Sequence, residues 1–224
     1  MKQVLLSWSS GKDSAWALHL LRQQADVEIV GLLTTFNESA GRVAMHAVRR
    51  PLVEMQADAA GLPLVSVMLP WPCSNSDYER LMGEAITSAC AAGVTHIAFG
   101  DLFLEDVRDY RVRQLAGSCI EPLFPVWHPP GGTAALARKM VNADLRAVLT
   151  CVDPAQLDSS FVGRTFDAEL ISDLPPEVDP CGERGEFHTF CFAGPIFWHP
   201  IAVALGETVC RDGFWFADLE PGAR

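Results

Sequence analysis

Apolar runs and helical stripes alternate along the first half of the chain. Val4, Leu5 and Leu6 form a short apolar run that leads into Ser7-Trp8-Ser9-Ser10-Gly11-Lys12-Asp13-Ser14. Ala15, Leu18 and Leu21 then recur every three residues, the mark of a helix with one buried face. Residues 28–35 are mostly apolar, as in a strand buried on both sides of a parallel sheet. A polar loop, 36–49, follows. Pro51 suits a first helical turn, and Leu52, Met55 and Ala59 keep helical spacing until Gly61 and Pro63. Residues 64–69 give a third strand. Tyr78, Leu81, Met82, Ala85, Ile86 and Ala89 give the cleanest helical stripe, Gly93 ends it, and 95–99 give a fourth strand. Strand and helix alternating with short links predict a parallel sheet with right-handed crossovers, whose ligands bind outside the carboxyl ends of the strands.

The pattern then changes. Residues 121–132 carry prolines at 122, 125, 129 and 130 and end in Gly131-Gly132, which reads as a subdomain boundary. A helix over 134–141 and a strand over 146–152 are expected, then an irregular stretch to Pro180. Short strands are expected at 187–192, 196–198, 201–205 and 208–211, with Asp212-Gly213 as a hairpin turn before Phe214-Trp215-Phe216. The division expected is 1–127 and 128–224, the second part smaller, more aromatic and richer in strands.

Composition adds limits. The chain has 224 residues, 49% hydrophobic, with a net charge of −11 that disfavours extended nucleic-acid binding. Neither a basic-then-apolar leader nor an apolar run long enough to span a membrane is present, so a cytoplasmic protein is expected. Seven scattered cysteines without Cys-x-x-Cys read as reduced thiols.

Residues 4–14 run from strand through small residues to a helix start, the arrangement by which α/β proteins hold phosphate on free backbone N–H groups and the helix dipole. It is not a Walker A loop, because Leu6 and Asp13 stand where that motif needs Gly and Ser or Thr. Gly100-Asp101 leaves another strand end, where a carboxylate can face the cleft. The helix expected from about Phe103 carries Glu105, Arg108 and Arg111; a solvated face of ion pairs is the plainer reading of its other charges. Near the far end, 179–189 pack two glycines, Glu183, Glu186 and His188 into a loop entering a strand. They suit a cation, an amine or acid–base work.

Ser9 to Ser14 resembles the Ser-Gly-Gly-x-Asp-Ser loop of the N-type ATP pyrophosphatases, the PP-loop, with Ser10 where that family has Gly. If the position requires positive φ, Ser10 is strained. With Met45-His46-Ala47-Val48-Arg49, Gly100-Asp101 to Arg111 and Gly182-Glu183-Arg184-Gly185-Glu186-Phe187-His188-Thr189, the whole chain resembles diphthine–ammonia ligase and its ATP-binding relatives, Arg184 replacing the usual Asn. The resemblance implies an α/β fold: a Rossmann-like, HUP-type parallel sheet with helices on both faces, plus a smaller β-rich C-terminal domain. It implies ATP and Mg²⁺, with a substrate carboxylate adenylated and then amidated by ammonia. Ser9, Ser10, Gly11, Lys12, Asp13 and Ser14 would hold the phosphates, and Thr34, Gly100 and Asp101 would flank the nucleoside. Asp13 would cap the helix or meet Mg²⁺. His46, Arg49, Glu105, Arg108, Arg111, Gly182, Glu183, Gly185, Glu186 and Thr189 would line the acceptor side. Lys12, Asp13, Glu183, Glu186 and His188 are the expected catalytic set. The partners implied are ATP, ammonia and a small or protein-borne carboxylate; a homodimer stays open. The sequence style looks bacterial, where diphthine itself is lacking, so the acceptor is left open. A nucleotide sensor with weak turnover and a PP-loop tRNA-modifying enzyme are the alternatives.

Overall fold

The computed structural model describes residues 1–43, 47–129 and 131–222. Its first half is a mostly parallel sheet. β1 (Lys2–Ser7) lies at the centre, flanked by β2 (Val27–Asn37) and β5 (His96–Ala98); β4 (Leu64–Leu69) and β6 (Glu121–Leu123) are the outer parallel strands. β3 (Arg42–Val43) turns back antiparallel against Phe36 and Asn37. The order β4-β2-β1-β5-β6 is doubly wound, and the chain reverses direction across the sheet between β1 and β5. That reversal opens a crevice at their carboxyl ends. β6 contains Pro122, which an edge strand tolerates because its outer N–H positions need no partner.

Alternation along β1 sets the two layers. Val4 and Leu6 point to one face, with α1 (Lys12–Leu21), α2 (Arg50–Ala60) and the C-terminal half. Leu5 points to the other, with α3 (Asn75–Ala91) and α4 (Glu105–Leu115). The second sheet is antiparallel and centred on β7 (Arg146–Val152), which pairs with β8 (Thr165–Phe166), β9 (Phe187–Ala193) and β11 (Phe214–Pro221); β10 (Val203–Arg211) completes it outside β11. α5 (Thr133–Asn142) precedes β7, and α6 (Ala168–Asp173) lies in the stretch expected to be irregular. Leu149, Phe166 and Phe190 of this half share one apolar core with Val4, Leu6 and Trp8 of the first.

The fold is therefore the expected α/β architecture with a β-rich C-terminal region, and several local expectations are corrected. Residues 196–198 form no strand. Gly194-Pro195 turns the chain there, and Trp198 lies against α2, its N–H bonded to Ala59 O at 2.8 Å. The strands expected at 201–205 and 208–211 are one strand, β10, with a register shift between Leu205 and Thr208. The loop after residue 36 contains β3. Two cysteines are not free thiols: Cys90, near the end of α3, bonds Cys119, beyond α4, with Cα atoms 6.0 Å apart. The partners are 29 residues apart, a spacing that no short motif reveals. The Asp212-Gly213 turn stands as expected, both residues at positive φ between Arg211 and Phe214. Among the described residues no helix is long and apolar enough to cross a membrane.

Candidate active site

The loop after β1 turns sharply at Ser10, whose φ is +71°, in the left-handed region where a side chain is unfavourable. Ser10 is fully buried, and its hydroxyl has no hydrogen-bond partner. The turn is held by its carbonyl, which accepts from Cys191 N at 2.9 Å and from Gln56 Nε2 at 3.0 Å. Gln56 Nε2 also donates to Cys191 O at 2.6 Å, and its Oε1 accepts from the Trp8 indole at 2.9 Å. One buried amide on α2 thus joins Trp8 just beyond β1, the turn at Ser10 and β9. Nothing in the 52–59 helical stripe marks Gln56 as special, because its partners arrive from opposite ends of the chain.

Gly11 then caps α1. Ser9 and Ser14 hydroxyls lie 3.2 Å apart, and Ser14 Oγ donates to Gly11 O at 3.0 Å. Lys12 N–H donates to the Thr189 hydroxyl at 3.1 Å, fastening the helix start to β9. The Lys12 side chain is only 2% exposed. Its ammonium donates to both Asp13 oxygens, at 3.0 and 2.8 Å, and to Cys181 O, and sits over the Phe166 and Phe187 rings. Burial presses its pKa down, but the charge and hydrogen bonds of Asp13, with Cys181 and Glu183 adding to them, together outweigh this and raise it above the ordinary lysine value. Gly100, leaving β5, crosses directly over this helix start. A Cβ there would lie 3.0 Å from Ser14 N and 3.1 Å from the Asp13 carbonyl carbon, so only glycine permits the approach.

Two adjoining cavities open at these strand ends. The smaller, about 240 Å³, is lined by Lys12, Asp13, Ser14, Gly100, Asp101 and by Gly182, Glu183, Gly185 and Thr189. The larger, about 490 Å³, takes Trp8, Thr35, Asn75, Tyr78, Met82 and Gln114 among its walls, a size in the range of small-molecule sites. Ser7, Ser9, Phe99, Arg111 and His188 line both. Sequence reasoning missed Trp8, Thr35, Asn75, Tyr78 and Gln114.

The remaining expected residues divide clearly. Glu183 reaches the smaller cavity and accepts from Leu102 N at 2.7 Å; burial raises its pKa to about 7, against that hydrogen bond. His188 is driven down to about 4 by burial, with Lys12 adding to the effect, so it is neutral at pH 7. Asp101 faces Arg111 at 3.5 Å, and burial raises its pKa with Arg111 opposing. Asp101 Oδ2 and Arg111 Nε are both buried without a hydrogen-bond partner. Glu186 instead accepts from Asp179 N and Arg184 N, both at 2.9 Å, and staples the loop behind the cavity. Thr34 is buried with its hydroxyl on Trp8 O, and strand alternation gives its place on the cavity wall to Thr35. Arg49 pairs with Asp218 and Glu220 of β11. Arg108 stacks on Phe124 and Trp127, and Glu105 is exposed in the first turn of α4. None of Glu105, Arg49 and Arg108 lines either cavity. His46 lies outside the described residues.

The arrangement fits a nucleoside triphosphate and a hard cation. The helix start, Lys12 and Arg111 are the groups that could offset phosphate charge there. Asp13 and the orphaned Oδ2 of Asp101 face the same 240 Å³ space. Among the described residues no cluster of three His, Cys, Asp or Glu side chains could hold a metal by itself.

Two consequences are measurable. Ser10→Gly removes the left-handed penalty and the orphaned hydroxyl, so it should stabilise the protein by about 1 kcal/mol in denaturant unfolding; a destabilised variant contradicts the strain. Folded Glu183 keeps its proton to about pH 7, whereas the unfolded side chain releases it near 4.5, so the folded state binds more protons between these values and loses stability as pH rises. The thermal midpoint of Glu183→Gln relative to wild type should therefore climb from pH 4.5 to 7 and level off above. His188 has the opposite slope, but it is common to both proteins and cancels in the difference. A difference independent of pH contradicts the assignment.

Two family models match the chain. The diphthamide synthase N-terminal domain matches residues 1–115, and the diphthamide synthase C-terminal domain matches residues 132–220. No curated protein matches the chain. The first match takes in the strained loop, α2 with Gln56, and α4; the second takes in the Gly182–Thr189 motif and β9. On these matches, which together span both sheets, the chain belongs to the diphthamide synthase family, whose PP-loop architecture is that of an ATP-using enzyme.

Proposed function

We propose that the protein is an ATP-dependent, AMP-forming ligase that makes an amide from a carboxylate and ammonia. The observation that carries this reading is the adjacency of the two cavities. A helix-start chamber lined by Lys12, Asp13 and Glu183 adjoins, at Ser9, Arg111 and His188, a space sized for a nucleoside. A carboxylate oxygen attacks the α-phosphorus, the bond to the bridging oxygen breaks, and pyrophosphate leaves. The nitrogen of ammonia then attacks the acyl carbon, the acyl C–O bond breaks, and AMP leaves with the amide formed.

The chain's own groups divide the work. Ser9, Ser14, Lys12 and the first turn of α1 hold the leaving pyrophosphate and offset its charge. Arg111 neutralises the phosphate at the junction of the cavities. Magnesium, when bound, supplies further charge neutralisation on the phosphate oxygens, with Asp13 and Asp101 as its carboxylates. Glu183 accepts the proton lost by the attacking nitrogen, a role that a carboxylate with a pKa of about 7 suits at neutral pH. His188, neutral there, accepts or donates a hydrogen bond without adding charge. Glu186 is a positioning residue, because both its oxygens are spent on the loop that presents Glu183.

The left-handed Ser10 gives the sensor reading its one specific support, since a strained loop can bind without turning over. Incubation with MgATP and ammonium, with and without a metabolite extract, separates the two. The ligase reading expects extract-dependent AMP and pyrophosphate; tight ATP binding without turnover supports the sensor, and ADP with phosphate contradicts attack at the α-phosphorus.

A further inference from the structure

Two buried hydrogen-bond donors that line the 490 Å³ cavity have no partner among the described residues: Arg111 Nε and Gln114 Nε2. They lie three residues apart on α4 and so share one face of that helix. Arg111 also lines the phosphate-side cavity, and Gln114 does not. Gln114 therefore stands about one helical turn farther from the phosphate loop, within the space sized for a nucleoside. The α3 and β5 residues that share this space, Met82, Ile86 and Ile97, are apolar and pack in one core with Leu115, its neighbour in sequence.

A buried amide donor left unpaired costs the folded state its full desolvation penalty. Leucine or methionine would fill much the same volume among these apolar neighbours without that cost, so packing does not explain a glutamine here. A ligand does. The charged end of a nucleotide is met at Ser9 and Arg111, where the two cavities adjoin, and the part that reaches beyond them to Gln114 is the base. A base offers flat apolar faces to side chains such as Met82 and Ile97 and a polar edge that needs partners. An amide presents one donor beside one acceptor, whichever way it is turned. Adenine presents the complement, an amino group beside a ring-nitrogen acceptor, and glutamine can make both bonds at once.

We propose that Gln114 reads the base: its carbonyl accepts from the 6-amino group of adenine, its N–H donates to a neighbouring ring nitrogen, and the pair selects a 6-aminopurine nucleotide. The proposal rests on the reading that this site holds ATP, but the contact it asserts is measured by binding, without turnover. Titration calorimetry with the α,β-methylene triphosphates of adenosine and of purine riboside, which lacks only the 6-amino group, tests it with magnesium present. The expected result is at least about tenfold tighter binding of the adenosine compound by the wild type, and near equality of the two in Gln114→Leu. Gln114→Met, closer in length, repeats the comparison, with thermal midpoints monitoring the fold. Without nucleotide, both variants should melt no lower than the wild type, because each removes an unpaired buried amide. No nucleotide binding, equal binding of the two by the wild type, a preference that survives in both variants, or unliganded midpoints lowered in both overturns the proposal. The expected preference without AMP formation from ATP keeps the base contact and removes the adenylation reading. AMP formation with the two triphosphates bound equally does the reverse.

Discussion

The structure depends on the carbonyl of Ser10. A left-handed turn at a residue with a side chain persists only when its surroundings over-determine it. Here the fixing groups are Cys191 N–H from the C-terminal sheet and Gln56 Nε2 from α2. The phosphate-type loop is therefore not a property of β1 and α1 alone. Its shape is set in part by β9, whose Cys191 lies 181 residues after Ser10.

Lys12 extends the same dependence. A buried ammonium is costly unless it is paired and hydrogen-bonded, and the partners here are split between Asp13 beside it and Cys181 O in the distal motif. Its backbone N–H is fastened in turn by Thr189. The distal loop that presents Glu183 and the proximal loop after β1 are thus closed against each other by one residue.

Much of the fold was legible because the first half obeys simple periodicities: Val4 and Leu6 against Leu5, and the stripe from Tyr78 to Ala89. The candidate site was legible where short polar segments leave strand ends, as at Asp13 and Asp101, and where the glycine-bounded loop with Glu183 enters β9. Elsewhere the information was non-local. Thr34 and Thr35 differ only in which face of β2 they occupy, and β1, through Trp8, takes the first hydroxyl. Arg49 and Arg108 carry the right chemistry but are drawn away, one by Asp218 and the other by Phe124 and Trp127. Gln56 became visible only when its partners met, and residues 196–198, apolar enough for a strand, follow a Gly-Pro turn instead.

The central claim is that the two adjoining cavities direct attack by a carboxylate oxygen on the α-phosphorus of ATP. Tracing oxygen tests it most directly. Turnover with an ¹⁸O-labelled carboxylate in ordinary water should deliver one labelled oxygen to the phosphate of AMP. Unlabelled AMP, formed at the same rate with or without the carboxylate and carrying solvent oxygen when run in ¹⁸O-water, would mean simple hydrolysis and contradict the account.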